Sequence, residues 1–215
     1  MTKPLLIFIL IGFSCGGTVL AQQPPAAPQP TPARTLGPFN FSPTVVEENF
    51  DGVVAKVAVF KDGSVSMRVN QPADWVTAGS SAQLYFTNPK IANSRITLRV
   101  SALEAPASFD GAWVEVVKPL ILAGLPKDGN HQRIDNVTPN LLNIRGWTSV
   151  EFKASYDLAR ARVTTGWLFL RLEDGRLLEV IFTGPEESFS AIHGAVEYML
   201  RGWDLHNPGK DPNRR

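Results

Sequence analysis

Residues 166–184 read GWLFLRLEDGRLLEVIFTG, and their pattern decides the fold. Trp167 and Phe169 alternate with Leu168, Leu170 and Leu172, so both faces of this run are apolar. Asp174-Gly175 is a pair suited to a hairpin turn, and it leads into Leu177 to Phe182, apolar on both faces except at Glu179. A central pair of strands is expected. Just upstream, Val150, Phe152 and Ala154 alternate with Glu151, Lys153 and Ser155, as a further strand would. Just downstream, Pro185 suits a first helical turn, and Glu186 and Glu187 suit the positive end of a helix dipole. Phe189, Ile192, Val196, Met199 and Trp203 then recur every three or four residues, which predicts a helix with its stripe against the sheet.

Toward the N-terminus, Val53 to Phe60 and Ser64 to Val69 flank Lys61-Asp62-Gly63. Val65, Met67 and Val69 alternate with Ser66 and Arg68, which favours an antiparallel hairpin turning at Asp-Gly. Pro72 ends that register before Trp75. Ala82, Leu84 and Phe86 form a second alternating face closed by Pro89, and Ile96, Leu98 and Val100 mark a strand over Arg95 to Val100. Together these segments predict a meander. Between Phe109 and Leu122 the period changes: Trp113, Val116, Val117, Leu120 and Ile121 have helical spacing, with Pro119 expected to kink or divide the helix. Gly124 and Pro126 supply its stop, and His131 to Asn143 reads as a turn-rich crossing.

Two helices cannot bury their stripes alone, whereas a largely antiparallel sheet offers a complementary face; the fold class is α+β, an alpha/beta sandwich with packed helices. The order of landmarks resembles the Mog1/PsbP-like superfamily over roughly residues 51–203. The landmarks are SMRVNQPADW at 66–75, IRGWTSVEFKA at 144–154, GWLFLRLEDGRLLEVIFTG at 166–184, and the helix bearing Phe189 to Trp203. The resemblance implies a noncatalytic binding or assembly scaffold, as in an exported bacterial member, and transfers no particular partner. Shared architecture does not decide function.

Residues 1–21, MTKPLLIFILIGFSCGGTVLA, have the parts of a secretory signal: Lys3, an apolar run of 9 residues from Leu5 to Phe13, and small residues ending at Ala21. Cleavage before Gln22 and a periplasmic or extracellular destination are expected. The interrupted apolar stretch is a poor match to the roughly 20 residues of a permanent span. Cys15, the one cysteine, would leave with the leader. The alternative is a lipid anchor on Cys15, flanked by the small Ser14 and Gly16. Residues 22–35, QQPPAAPQPTPART, carry five prolines and read as an extended linker. A single domain over 36–203 and a flexible polar tail over 204–215 complete the organisation. With a net charge of +1 and no concentrated basic face, nucleic acid is not an expected partner.

No catalytic set emerges. His131 with Asp128 and Asp135 matches no strong metal motif, and a surface role is the simpler reading. His193, Glu197 and Arg201 lie one helical turn apart and read as an ion ladder rather than an acid-base pair. Ser188 and Ser190 lack a nucleophile elbow, phosphate and dinucleotide loops are missing, and Glu173, Asp174 and Glu179 do not define a glycosidase pair. Catalytic residues, cofactors and metals are therefore all assigned as none. Five tryptophans are expected mainly in the core, with Trp75 and Trp147, beside turn-forming Pro or Gly, as rim candidates. Arg68, Arg95 and Arg99 would accompany them as anion-recognising forks. The functional expectation is an exported, noncatalytic protein-interaction or assembly scaffold for an envelope protein. The alternative is a small-ligand carrier or sensor with a cavity near Trp75 and Trp147; a hydrolase is the remote reading.

Overall fold

The computed structural model describes residues 38–50, 52–142 and 146–206. The leader, the linker and residues 207–215 of the tail lie outside the described residues. Strands β1 (Phe39–Phe50), β2 (Val53–Asp62) and β3 (Val65–Asn70) are followed by β4 (Val76–Gly79), β5 (Gln83–Thr87) and β6 (Arg95–Val100). Helix α1 (Gly111–Gly124) precedes β7 (Asn130–Pro139), β8 (Ser149–Leu158), β9 (Ala161–Arg171) and β10 (Leu177–Pro185). Helix α2 (Phe189–Arg201) and the short β11 (Asp204–Leu205) end the described chain. Two sheets result, ordered β1-β2-β3-β11 and β4-β5-β6-β10-β9-β8-β7, with every pairing antiparallel. The chain is an α+β sandwich.

The doubly apolar run of 166–184 becomes β9 and β10, and β10 occupies the middle of the seven-stranded sheet. Its two faces feed two cores. Leu168, Leu170, Leu178, Val180 and Phe182 pack with the smaller sheet's Phe41, Phe60 and Val69 and with Ile192, Val196 and Met199 of α2. Trp167, Phe169 and Leu177 on the opposite face pack with Val150 and Phe152 of β8 and with Val117 and Ile121 of α1. A strand buried on both sides must be apolar on both sides, which is why this segment dominates the sequence pattern. The α2 stripe is buried along its whole length, including Phe189 and Trp203.

Several expectations are corrected. The meander is interrupted: β3 belongs to the smaller sheet and β4-β5-β6 to the larger, because the chain changes sheets beyond Pro72. Residues 39–50 form β1, although Pro43 and the polar Glu47, Glu48 and Asn49 obscure their alternation. The expected crossing over His131 to Asn143 contains β7, an edge strand that is polar because its outer side meets water. Its pairing with β8 shifts register twice, which also breaks the period. Helix α1 runs undivided through Pro119, an exposed residue whose missing N–H leaves one outer carbonyl to water. Asp204 and Leu205, expected in the tail, pair with Arg68 and Met67 of β3. Asp62 is the last residue of β2, and the turn falls on Gly63, at φ 57°, and Ser64.

Candidate functional site

Helix α1 begins where Asp110 Oδ1 accepts the Trp113 backbone N–H at 2.9 Å, which satisfies one of the four orphan donors of the first turn. Trp113 stands edge-on to Phe169 of β9, with ring centroids 5.3 Å apart, and this contact seats the helix over β8 and β9. One row further, Val117 and Ile121 reach the sheet, while Val116 and Leu120 do not: they are 65% and 51% exposed. The five apolar residues expected as one stripe therefore divide into a packed row and an outward row.

Between α1 and the sheet lies a cleft of about 500 Å³. Val117, Leu120, Ile121 and Gly124 form one wall, Trp167, Phe169 and Ile181 the floor, and Arg99 to Leu103 the far side. Cross-strand pairing places its residues in rows. Arg99, Glu179 and Phe169 stand opposite one another on β6, β10 and β9, followed by Thr97, Ile181 and Trp167. At one end Arg99 Nε donates to Glu179 Oε2 at 2.8 Å. Glu179 is only 6% exposed, whereas nearly half of the Arg99 side chain meets solvent. Among the described residues nothing accepts from Nη1 or Nη2 of Arg99, and nothing donates to Oε1 of Glu179. The cleft thus presents donors and an acceptor, fixed side by side, at the end of an apolar trough.

The five residues singled out from sequence separate into three places. Arg95 and Arg99 share a face of β6, with Arg95 lying over the Tyr85 ring at 4.4 Å. Arg68 belongs to the other sheet and pairs with Glu48. Trp75 is buried in the core, and Trp147 is buried edge-on to Trp203 at 5.7 Å. Both indoles belong to the buried core, and the cleft described above lies at α1. Sequence reasoning missed Glu179 as a partner of Arg99, since only the β6–β10 register brings residues 80 positions apart together.

A second polar cluster joins α2 to β8. His193 Nε2 lies 3.0 Å from Glu151 Oε2, and its Nδ1 lies 3.6 Å from Glu197 Oε1; Arg201 in turn reaches Glu197. Lys153, the next inward residue of β8, lies over the Phe189 ring. The expected ladder is present, with Glu151 added from the sheet. The hydrogen bond to Glu151 raises the His193 pKa against the opposing effect of burial, and Glu197 adds to the rise. The sign follows: stabilisation from the imidazolium is complete below the ordinary histidine value and is lost as pH rises through the raised one. Unfolding midpoints of the wild type and His193→Gln should therefore differ most at acid pH and converge above neutrality. In Glu151→Gln, an NMR titration of His193 should move back toward about 6.5; an unchanged titration would remove Glu151 as the cause.

His131 stands with Asp157 at 2.8 Å, and Asp157 also receives Arg162. The Asp157 carboxyl is held below its usual range by hydrogen bonds from Arg162 and His131. His131 is exposed and Asp157 and Arg162 are half-buried, and among the described residues no group of three or more His, Cys, Asp or Glu is arranged to hold a metal. No helix among the described residues is long and apolar enough to cross a membrane.

No protein-family model matches the chain, and no curated protein matches it. Among solved structures it is similar to LpqN of Mycobacterium tuberculosis, described as involved in cell envelope biogenesis. Identity is 16%, with 77% of this chain and 91% of that one covered and a TM-score of 0.44. It is also similar to the Saccharomyces cerevisiae Ran-binding protein Mog1p, at 13% identity over 76% of this chain and 96% of that one, with a TM-score of 0.45.

Proposed function

We propose that the protein is an exported, noncatalytic interaction module that binds a protein partner of the cell envelope through the α1 face. The carrying observation is the outward row of α1. Val116 and Leu120 extend the apolar surface of the cleft onto the exterior of the helix, and Val100 continues it on the sheet side. A small ligand seated in the trough would leave that rim in water, whereas a protein surface would cover rim and trough together. The cleft offers one side-chain hydroxyl, Ser101, and one ion pair whose remaining polar atoms suit holding a ligand rather than transforming it. The leader read from residues 1–21 supports export, and the envelope is where such a chain would meet its partner.

Capture from the envelope fraction with the host-processed chain as bait, quantified by mass spectrometry against a denatured bait, tests this reading. A partner retained in stoichiometric amount should fall about tenfold or more with Val116→Asp or Leu120→Asp, since a few rim and pocket residues carry most interface energy. Both positions are exposed, so the fold should be unaffected, as circular dichroism would check. Retention unchanged in both variants would sink the assignment of this face.

A further inference from the structure

Building on that interaction reading, we propose that the Arg99–Glu179 pair recognises one backbone peptide unit of an extended partner segment, and that the adjoining trough takes a neighbouring aliphatic or aromatic side chain. The pair is electrically balanced. A carboxylate approaching Arg99 would also meet Glu179, and an ammonium approaching Glu179 would also meet Arg99, so neither ion gains from the site as a whole. A peptide unit has what the site lacks: a C=O that accepts from Nη of Arg99 and an N–H that donates to Oε1 of Glu179. Because the two residues stand directly opposite on β6 and β10 and are already joined through Nε, their remaining polar atoms are held in place before binding.

The trough supplies the second half of the recognition. Ile181 and Trp167 lie in the row next to Glu179 and Phe169, and Val117 and Ile121 close over them from α1. A side chain attached beside the bound peptide unit would enter apolar surroundings, whereas a polar one would lose water without gaining a partner. Arg95, on the same face as Arg99 and stacked on Tyr85, leaves one competing chemistry: an acidic segment bridging the two arginines. The test separates them.

The probes are capped pentapeptides, acetyl-Ser-Gly-Leu-Gly-Ser-amide, its Leu→Ser and Leu→Phe analogues, and versions N-methylated at leucine or at the following glycine. They are titrated into the host-processed full chain while the Trp167 indole N–H is followed by NMR. The leucine and phenylalanine peptides should shift that resonance and the serine peptide should not. One of the two N-methylations should weaken binding about tenfold, the loss of a hydrogen bond to a charged group. Glu179→Gln, which exchanges the charged acceptor for a neutral one, should weaken that discrimination, and Arg99→Met/Glu179→Met, which leaves neither charge nor acceptor, should erase it. Equal response to leucine and serine, or none at millimolar peptide, overturns the proposal. So does binding that ignores N-methylation but collapses with added salt, the signature of an acidic segment. If partner capture survives both Glu179 variants yet fails with Leu120→Asp, the interaction face stands and the peptide-unit recognition falls; loss of neither removes both.

Discussion

Arg176→Ala is expected to lower the free energy of unfolding by about 3–5 kcal/mol, the cost of taking a bidentate guanidinium away from a buried charge. The charge is Asp62, whose side chain has no exposed surface. Arg176 Nη1 and Nη2 donate to its two oxygens at 2.9 and 2.8 Å, a bidentate fork. The same guanidinium bonds Asp174 and lies over the Phe39 ring at 4.0 Å. Asp62 ends β2 in the smaller sheet, whereas Asp174 and Arg176 occupy the β9–β10 turn of the larger one. One side chain therefore fastens the two sheets at that end. Lysine would restore a charge but not the planar fork, so Arg176→Lys should recover only part of the loss. Arg176→Met with Asp62→Leu removes both charges and should cost markedly less than Arg176→Ala alone. Guanidinium unfolding gives these differences directly, and a loss below about 1 kcal/mol for Arg176→Ala would show that Asp62 finds water or another donor.

The clasp also shows what local pattern conveys and what it hides. Asp62-Gly63 and Asp174-Gly175 both announce turns, and turns do occur there, with Gly63 and Gly175 at positive φ. The sequence offers no sign that one aspartate is buried and shares an arginine with the other, because that contact spans 114 positions. Strands β9 and β10 and helix α2 were legible since burial on two faces, or along one continuous stripe, imposes composition residue by residue. Strand β7 was not, because an edge strand has little to bury. The β8–β9 hairpin hid its turn for another reason. Its two loop residues, Ala159 and Arg160, take φ of 48° and 71°, a conformation usually signalled by Asn or Gly.

At the candidate site the same division holds. Of the three arginines expected as forks, Arg95 and Arg99 share one face of β6, as a period of two requires of residues four apart in a strand. Arg68 alternates just as clearly, but in a strand of the other sheet, and alternation carries no information about which sheet a strand joins. Trp75 and Trp147 flank turns yet are buried, since an indole near a chain reversal can still point inward. The outward row of α1 left a readable trace: Val116 with Leu120 and Val117 with Ile121 make the apolar arc wider than one packed seam requires. That excess width marks the rim.

Gly166→Ala should cost about 3 kcal/mol, near the upper end of what a single inserted methyl does to a packed core. Gly166 lies opposite Phe182 across the β9–β10 pair. A Cβ at this position would stand 2.1, 2.4 and 2.6 Å from three carbons of the Phe182 ring, inside any tolerable contact. Those carbons cannot swing away freely, because the ring is fully buried, stacked on Phe189 at 5.4 Å and edge-on to His193 at 5.7 Å. The glycine is thus required by the ring across from it, and its backbone angles do not enter the argument. Shortening that ring with Phe182→Leu should open the space, so the same Gly166→Ala change should cost about 1 kcal/mol or less in the leucine background. Unfolding free energies of the four members of this cycle would then give a coupling of about 2 kcal/mol. An equal cost in both backgrounds would place the strain elsewhere and show that Phe182 already yields to the added methyl.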